Sequence, residues 1–466
     1  MKKSLVLFLS ILASLLFVIS ASADQAQRLD AVFAIESDVK YTGSLSPLAD
    51  NKYTSFITVE PGSKLLIKAD STAWVYVKFH ASAPASFSVQ AEDESISKRS
   101  NGFLHDTFAV PASKVVTLFS DEPMQITEIE VYSAGTLPKN VQRWENTLSK
   151  CDILITSTHS DDDTLFFGAL AAEQIAYGRM VQTVFVCNHS NELYRLNELL
   201  DGQWTLGITS YPIFGEFEDF YSMSLAKAQE QFDTDALSDF LVAAIRRTRP
   251  KVVITHDVNG EYGHGAHRLV SLLTRKAVEM SNDASYFPKS AERFGTHEPQ
   301  KTYIHLYKEN PIKLDVRKKL DSLGGATPFS VAQQAYACHK SQQKWDFAVT
   351  TTGTDDCTRF GLYKTTVECD LKSKDVLNGI TPYIPSVSST STMPNAQTMR
   401  QKSEDTTPGH KTGDKYEALA FFAHDSNGNI TKAPKSSVVA CFCILILLAL
   451  FIFIASVIKI TNQRKR

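Results

Sequence analysis

The chain has 466 residues, with 48 Lys and Arg against 51 Asp and Glu and a formal charge of −3. So even a balance excludes a protein that binds nucleic acid through a basic face. The length allows two domains of about 100–200 residues each besides terminal segments. Seven cysteines without CxxC spacing exclude a thiolate zinc ribbon and a fold built on disulfides.

Taken from the N-terminus, Lys2 and Lys3 precede an apolar run from Leu5 to Ile19, and Ala21-Ser22-Ala23 supplies small residues for cleavage. This is the layout of a secretory signal peptide over 1–23, with a mature start near Asp24; an uncleaved anchor is the alternative. Residues 24–140 read as short strands. Phe56–Val59, Lys64–Ile67 and Trp74–Phe79 are apolar or alternating runs, Pro61-Gly62 and Ser100-Asn101-Gly102 are turns, and Ile126–Tyr132 has a clear period of two. Strands at this spacing predict a β-sandwich. Leu48–Thr54 and the closing strand are reminiscent of galactose-binding-like domains, so this part either binds carbohydrate or serves as a structural domain.

A linker is expected around Thr136 to Gln142, and the pattern then changes. Asp152–Thr156, Val181–Val186 and Val252–Thr255 are nearly continuous apolar strands, separated by helical stretches that include Thr164–Tyr177 and Thr234–Arg247. That alternation over 148–382 predicts an α/β domain with a Rossmann-like, mostly parallel sheet covered on both faces. Residues 383–436 are rich in Ser, Thr, Pro and Asn and read as a flexible stalk. Val438–Ile458 carries no charge and meets the length of about 20 residues for one transmembrane helix over 437–459, with a basic cytoplasmic tail at 460–466. Together these segments predict a single-pass type I membrane protein whose folded part is extracellular or lumenal.

Cys441 and Cys443 fall in the apolar C-terminal run, and Cys151 and Cys187 border buried strands as inert core thiols. A Cys357–Cys369 or a Cys338–Cys357 disulfide is compatible with the spacing, and sequence does not choose between them.

The chemistry lies at two strand ends. His159, Asp161 and Asp162 follow the first apolar strand, and His264 and His267 follow the Val252–Thr255 strand, so both groups arrive at one edge of the sheet. Each group alone has a structural explanation, since Asp at a strand-to-helix turn serves as an N-cap. Together, imidazoles and carboxylates at one edge suit a catalytic zinc with three protein ligands and one open position. His159, Asp162 and His267 are the candidate metal ligands, for Zn²⁺ or another divalent ion. Asp161 is then placed as a general base and His264 as a group that stabilises the oxyanion and later protonates the leaving amine. His189, in the sequon Asn188-His189-Ser190, is a candidate site-wall residue or a structural histidine, and Asn188 is expected to fold inwards.

Thr158-His159-Ser160-Asp161-Asp162-Asp163 followed by Leu165-Phe166-Phe167-Gly168 resembles the opening motif of the PIG-L/LmbE-like N-acetylglucosamine deacetylases. Glu261–Arg268 is similar to their second motif, and Arg195-Leu196-Asn197-Glu198 with Leu206-Gly207-Ile208 to the R-x-x-E helix and LG segment between them. His339–Gln343 and Phe360–Tyr363 look like segments of the larger bacterial-type branch. The resemblance implies zinc on His159, Asp162 and His267, Asp161 as base and His264 at the oxyanion. It also implies Arg195 as a contact to substrate hydroxyls, although an ordinary helix-surface arginine has the same signature. Three positions depart from the pattern. Ser160 replaces Pro, Asp163 replaces Glu, and Ala266 replaces an Asp that can orient the catalytic histidine, a task Glu261 is a candidate to take over.

The implied activity is removal of the N-acetyl group from an N-acetylglucosamine-type sugar or glycoconjugate by a membrane-anchored, outward-facing enzyme. A non-catalytic surface protein that binds glycan, with a degenerate deacetylase domain, is the competing class. Deacetylation of N-acetylglucosaminylphosphatidylinositol is the third reading; it is associated with a cytosol-facing domain, opposite to the expected topology.

Overall fold

The computed structural model describes residues 24–38, 40–91, 96–368 and 370–383. The expected signal peptide, stalk beyond Tyr383, transmembrane span and tail, together with Cys369, Cys441 and Cys443, lie outside them. No helix among the described residues is long and apolar enough to cross a membrane.

The N-terminal part is antiparallel: β1 (Arg28–Leu29), β2 (Val32–Glu36), β3 (Ile57–Val59), β4 (Lys64–Phe79), β5 (Phe87–Ala91), β6 (Ile96–Arg99), β7 (His105–Phe119) and β8 (Met124–Tyr132). The expectation of two strands at Lys64–Ile67 and Trp74–Phe79 is corrected here: β4 runs through both. Its ladder is irregular between Lys68 and Trp74, and there it changes partner, from β2 before to β8 after. A bend of this kind redirects a strand without ending it. The eight strands are therefore linked in one continuous hydrogen-bonded path. Side chains from both halves of β4, such as Leu65, Ile67, Val75 and Val77, still share one apolar cluster.

The second part is a seven-stranded sheet in the order β11-β10-β9-β12-β13-β15-β14. Its strands are β9 (Ile153–Ser157), β10 (Val181–Cys187), β11 (Ile213–Phe217), β12 (Val252–Thr255), β13 (Lys301–His305), β14 (Pro311–Lys313) and β15 (Arg359–Thr365). The first five in space are parallel, and β15 and β14 close the edge antiparallel. This is the predicted mostly parallel α/β sheet. The helices are α1 (Gly168–Ala176), α2 (Tyr194–Leu206), α3 (Leu225–Gln231), α4 (Thr234–Thr248), α5 (Gly265–Met280), α6 (Pro288–Phe294) and α7 (Pro328–Tyr336).

Alternation along the strands assigns the faces. Ile153 and Ile155 of β9 pack with Leu170 of α1 and Ala332 of α7. Thr156 points the other way, where its Oγ1 lies 3.2 Å from Thr274 Oγ1 of α5. Both faces of β9 are thus covered, which is why the strand is apolar almost throughout.

The expected linker at 136–142 is instead a packed junction in which Val141, Gln142 and Trp144 are buried. Leu199 and Leu200 of α2 belong to the same apolar cluster as the N-terminal sheet. Polar groups complete the seam. Tyr53 donates to Asp201 at 2.6 Å, Asn197 lies 2.9 Å from His105, and Phe103 stacks on Tyr211. Helix α2 is therefore held by the N-terminal sheet on one side while its other residues reach the site described next.

Candidate active site

The carboxyl ends of β9, β10, β11, β12 and β13 deliver six histidines and their acidic partners to one edge of the sheet. After β9 the chain turns through His159–Asp162 into a π-helical turn, Asp163–Phe167, before α1 begins. Such a widened turn is common at functional sites. Asp162 stands immediately before it and Asp163 opens it.

His159 Nδ1 lies 2.9 Å from His267 Nε2 and 3.3 Å from Asp162 Oδ2, and His267 Nε2 lies 3.2 Å from the same oxygen. Ligand atoms bound about 2.0–2.1 Å from a tetrahedral zinc sit roughly 3.3–3.4 Å from one another. Three convergent donors with these separations fit a zinc ion. The charge pattern agrees. Burial works against a charged His159, but Asp219 and Asp162 outweigh it and raise its pKa well above the usual imidazole value, so the cluster favours positive charge at its centre. Asp162, although buried, is held well below the carboxylate range by His267 and His159.

Other donor groupings are present among the described residues: His159 with His264 and His267, His159 with Cys187 and Asp219, and Asp162 with His256 and His267. Their lone pairs are largely engaged elsewhere. His256 Nε2 accepts from the Thr158 amide, Asp219 Oδ1 faces His159 Nε2 at 2.9 Å, and burial raises the Cys187 thiol, keeping it protonated. Cys187 is a buried free thiol at the end of β10, as expected, and its Sγ lies 3.9 Å from Asp219 Oδ1 beside the cluster.

Asp161 accepts from Arg195 Nη2 at 3.1 Å. Burial raises its pKa, Arg195 opposes the rise and the neighbouring Asp162 adds to it. A carboxyl tuned upward in this way is a better proton acceptor than an ordinary one. Arg195 is buried, not a helix-surface arginine, and it lines the cavity with its partner. His264 caps α5, its Nδ1 accepting from the Ala266 amide at 3.2 Å. That bond leaves the Nε2 proton for the cavity. Burial together with His159 and His267 pushes its pKa down to about 3, which makes it a neutral hydrogen-bond donor.

Glu261 does not orient His264. Its carboxylate accepts from His305 Nδ1 at 2.8 Å and the Asp257 amide at 3.0 Å, and lies 3.3 Å from His256 Nδ1. His256 in turn stacks on His267, centroids 4.5 Å apart. That contact sets the His267 ring, whose Nδ1 has no hydrogen-bond partner among the described residues. Asp163 accepts from Gln203 of α2, the re-aimed bond that its shorter side chain requires. His189 is a buried histidine with a satisfied ring nitrogen, in line with the structural alternative: its Nε2 accepts from the Ser160 amide, its backbone is left-handed (φ 50°), and burial holds it neutral. Asn188 is engaged through both side-chain ends, with Glu216 and Ser190. Cys338 and Cys357 are free thiols, which corrects the expected Cys338–Cys357 alternative.

Asp219 and His256 were not singled out in the sequence. Neither sits in a motif, and only the neighbouring strands β11 and β12 bring them to His159 and His267. Around the cluster opens a cavity of about 500 Å³ lined by His159, Asp161, Arg195, Asp219, His264 and Trp345 among others.

Residues 154–278 match the family model described as PIG-L: GlcNAc-PI de-N-acetylase. This stretch of the chain is similar to that family. Over 206 residues it is 27% identical to 1D-myo-inositol 2-acetamido-2-deoxy-alpha-D-glucopyranoside deacetylase of Geodermatophilus obscurus, covering 38% of this chain and 68% of that one. The enzyme of the same name from Acidothermus cellulolyticus is 30% identical over 172 residues, 30% of this chain and 59% of that one. A solved structure of N,N'-diacetylchitobiose deacetylase from Pyrococcus horikoshii aligns at 18% identity with a TM-score of 0.31, covering 41% of this chain and 70% of that one. The chain thus spans between 59% and 68% of the length of these two curated relatives. The matched residues are thus similar to amide hydrolases of the N-acetylglucosamine-deacetylase type.

Proposed function

We propose that this protein is a zinc-dependent deacetylase that hydrolyses the N-acetyl group of an N-acetylglucosamine-type sugar or glycoconjugate. The observation that carries the reading is the triangle of His159 Nδ1, Asp162 Oδ2 and His267 Nε2, with edges of 2.9, 3.2 and 3.3 Å, beside a carboxyl and a neutral imidazole. His159, Asp162 and His267 would hold the metal. Bound there, zinc supplies Lewis-acid polarisation of the acetamide carbonyl and a water acidified towards ~7.

The chain's own residues supply the remaining chemistry. Asp161 accepts the proton of the attacking water at the carboxylate that Arg195 orients. His264 donates from Nε2 to the oxygen that gains charge, and its neutral form suits a donor aimed at an oxyanion. Protonation of the departing amine falls to Asp161, which holds the water's proton; His264, with a pKa of about 3, is a poor proton source near neutral pH. This moves the amine-protonating role from His264 to Asp161. Arg195 reaches substrate hydroxyls from the same cavity wall.

The apolar run 438–458 and the basic tail support an outward-facing enzyme tethered by one C-terminal helix. Asp161→Asn and His267→Ala test the mechanism. Both are expected to abolish zinc-dependent acetate release, His267→Ala with loss of zinc and Asp161→Asn with zinc retained. Unchanged turnover in either variant contradicts the assignment.

A further inference from the structure

We propose that the N-terminal sheet takes part in catalysis, with His105 and Tyr53 acting as positioning residues for Asp161 through helix α2. Resting on the deacetylase reading, this gives the N-terminal part of the chain a task in the reaction itself, not a separate binding role.

Helix α2 has two working sides, as its period of 3.6 residues dictates. Arg195 and Glu198 lie on one. Arg195 Nη2 donates to Asp161 Oδ1 at 3.1 Å, and Glu198 accepts from Ser341 Oγ at 2.6 Å. Asn197, Leu200, Asp201 and Trp204 lie on the other, towards the N-terminal sheet. Asn197 is buried. Its Nδ2 donates to the His80 carbonyl at 3.0 Å, which turns its Oδ1 to His105 Nε2 at 2.9 Å. One turn on, Asp201 accepts at both oxygens, from Tyr53 Oη at 2.6 Å and from Gln142 Nε2 at 2.6 Å.

The apolar contacts of Leu196, Leu199 and Leu200 with the sheet resist separation of the two. They are non-directional, however, and set the position of the helix along its axis only loosely. Directional bonds at Asn197 and Asp201, one turn apart and each made through both polar atoms of the side chain, fix its axial position and its rotation together. Arg195 depends on that precision. A displacement of α2 by about half an ångström would stretch its bond to Asp161 past useful hydrogen-bond length, and the base would lose the group that orients it. His159 and Asp162 follow β9 and His267 stands on α5, so the same displacement would leave the proposed metal donors where they are. Tyr53, His80, His105 and Gln142 all precede residue 154, where the match to the family model begins.

The test measures kcat, KM and zinc affinity of the full-length, zinc-loaded chain, with N,N'-diacetylchitobiose as substrate. His105→Leu is expected to lower kcat about ten-fold or more, with KM and zinc affinity unchanged. His105→Gln, whose amide can reach Asn197 in place of Nε2, should keep most of the wild-type kcat. Tyr53→Phe removes the bond to Asp201 with little change of shape; it should lower kcat in the same direction, and it carries the comparison if His105→Leu does not fold. In an Arg195→Ala background neither change should lower kcat further, because residues acting along one path do not add. An unchanged kcat in the single variants, a loss that adds fully to that of Arg195→Ala, a parallel loss of zinc affinity, or a His105→Gln no better than His105→Leu overturns the proposal. If the wild type releases no acetate, the deacetylase reading fails. The positioning is then read by hydrogen exchange over residues 158–163: faster exchange in Tyr53→Phe supports it, and exchange at the wild-type rate overturns it.

Discussion

Replacing Asp219 perturbs the proposed metal site from outside the triangle of His159, Asp162 and His267. His159 must present an unprotonated Nδ1 to a metal, which requires its proton on Nε2, and Asp219 Oδ1 accepts there at 2.9 Å. A carboxylate behind a metal-bound histidine fixes its tautomer and raises its basicity, and losing one costs about 10–100-fold in metal affinity, roughly 1.4–2.7 kcal/mol. The Asp219 side chain is 34% exposed, so the lower half of that range applies. Asp219→Asn keeps an acceptor but removes the charge, and should weaken zinc about ten-fold. Asp219→Ala removes both and should weaken it several times further. Zinc affinity measured by chelator competition at pH 7.5 distinguishes the two. Wild-type affinity in Asp219→Ala would show that His159 needs no such partner and would refute the reasoning.

Among the described residues, buried His339 has no hydrogen-bond partner at either ring nitrogen, and burial pushes its pKa to about 3. The unfolded chain, with histidine near ~6.5, binds this proton and the folded one does not, so stability falls as pH drops from ~6.5 towards ~3. At pH 4.5 the loss is up to about 2–3 kcal/mol; His339→Leu should remove it, seen as a smaller difference between urea midpoints at pH 7 and 4.5. An unchanged difference would mean that the folded protein accommodates the charge. Gly202 lets α2 approach α7 closely, since an added Cβ would sit 3.0 Å from His339 Nε2 and 3.2 Å from the Ala335 carbonyl. Gly202→Ala gains about 1 kcal/mol of helix propensity but overpacks this contact by about 1–3 kcal/mol. A net loss of stability in urea unfolding is expected, and a gain would show that the two helices can separate freely.

The parallel sheet was legible because its strands are buried on both faces, so Ile153–Thr156 and Val252–Thr255 stand out as apolar runs. The cluster of His159, Asp162, His264 and His267 was legible because its members sit close in sequence in pairs at strand ends, which this topology gathers at one edge of the sheet. What escaped depends on partners distant in sequence. Asp219 lies in Glu218-Asp219-Phe220 without a motif, and its role arises only from the pairing of β11 with β10. Glu261 looked able to orient His264, but β13 places His305 beside it, and a charged pair with that imidazole outcompetes the expected contact. The course of β4 through both runs was hidden because Ala69–Ala73, where it changes partner, contains neither Gly nor Pro. The junction at 136–142 read as a linker because Gln142, which pairs with His105 of the N-terminal sheet and donates to Asp201 of α2, shows in the sequence only as an ordinary polar position.

The most direct test of the account is acetate release from N,N'-diacetylchitobiose and N-acetylglucosaminyl-myo-inositol by the purified full-length chain, assayed before chelation, after chelation and after return of zinc. The account predicts turnover that chelation removes and zinc restores, and that Asp161→Asn lacks throughout. Turnover that survives chelation, or persists in Asp161→Asn, would contradict it.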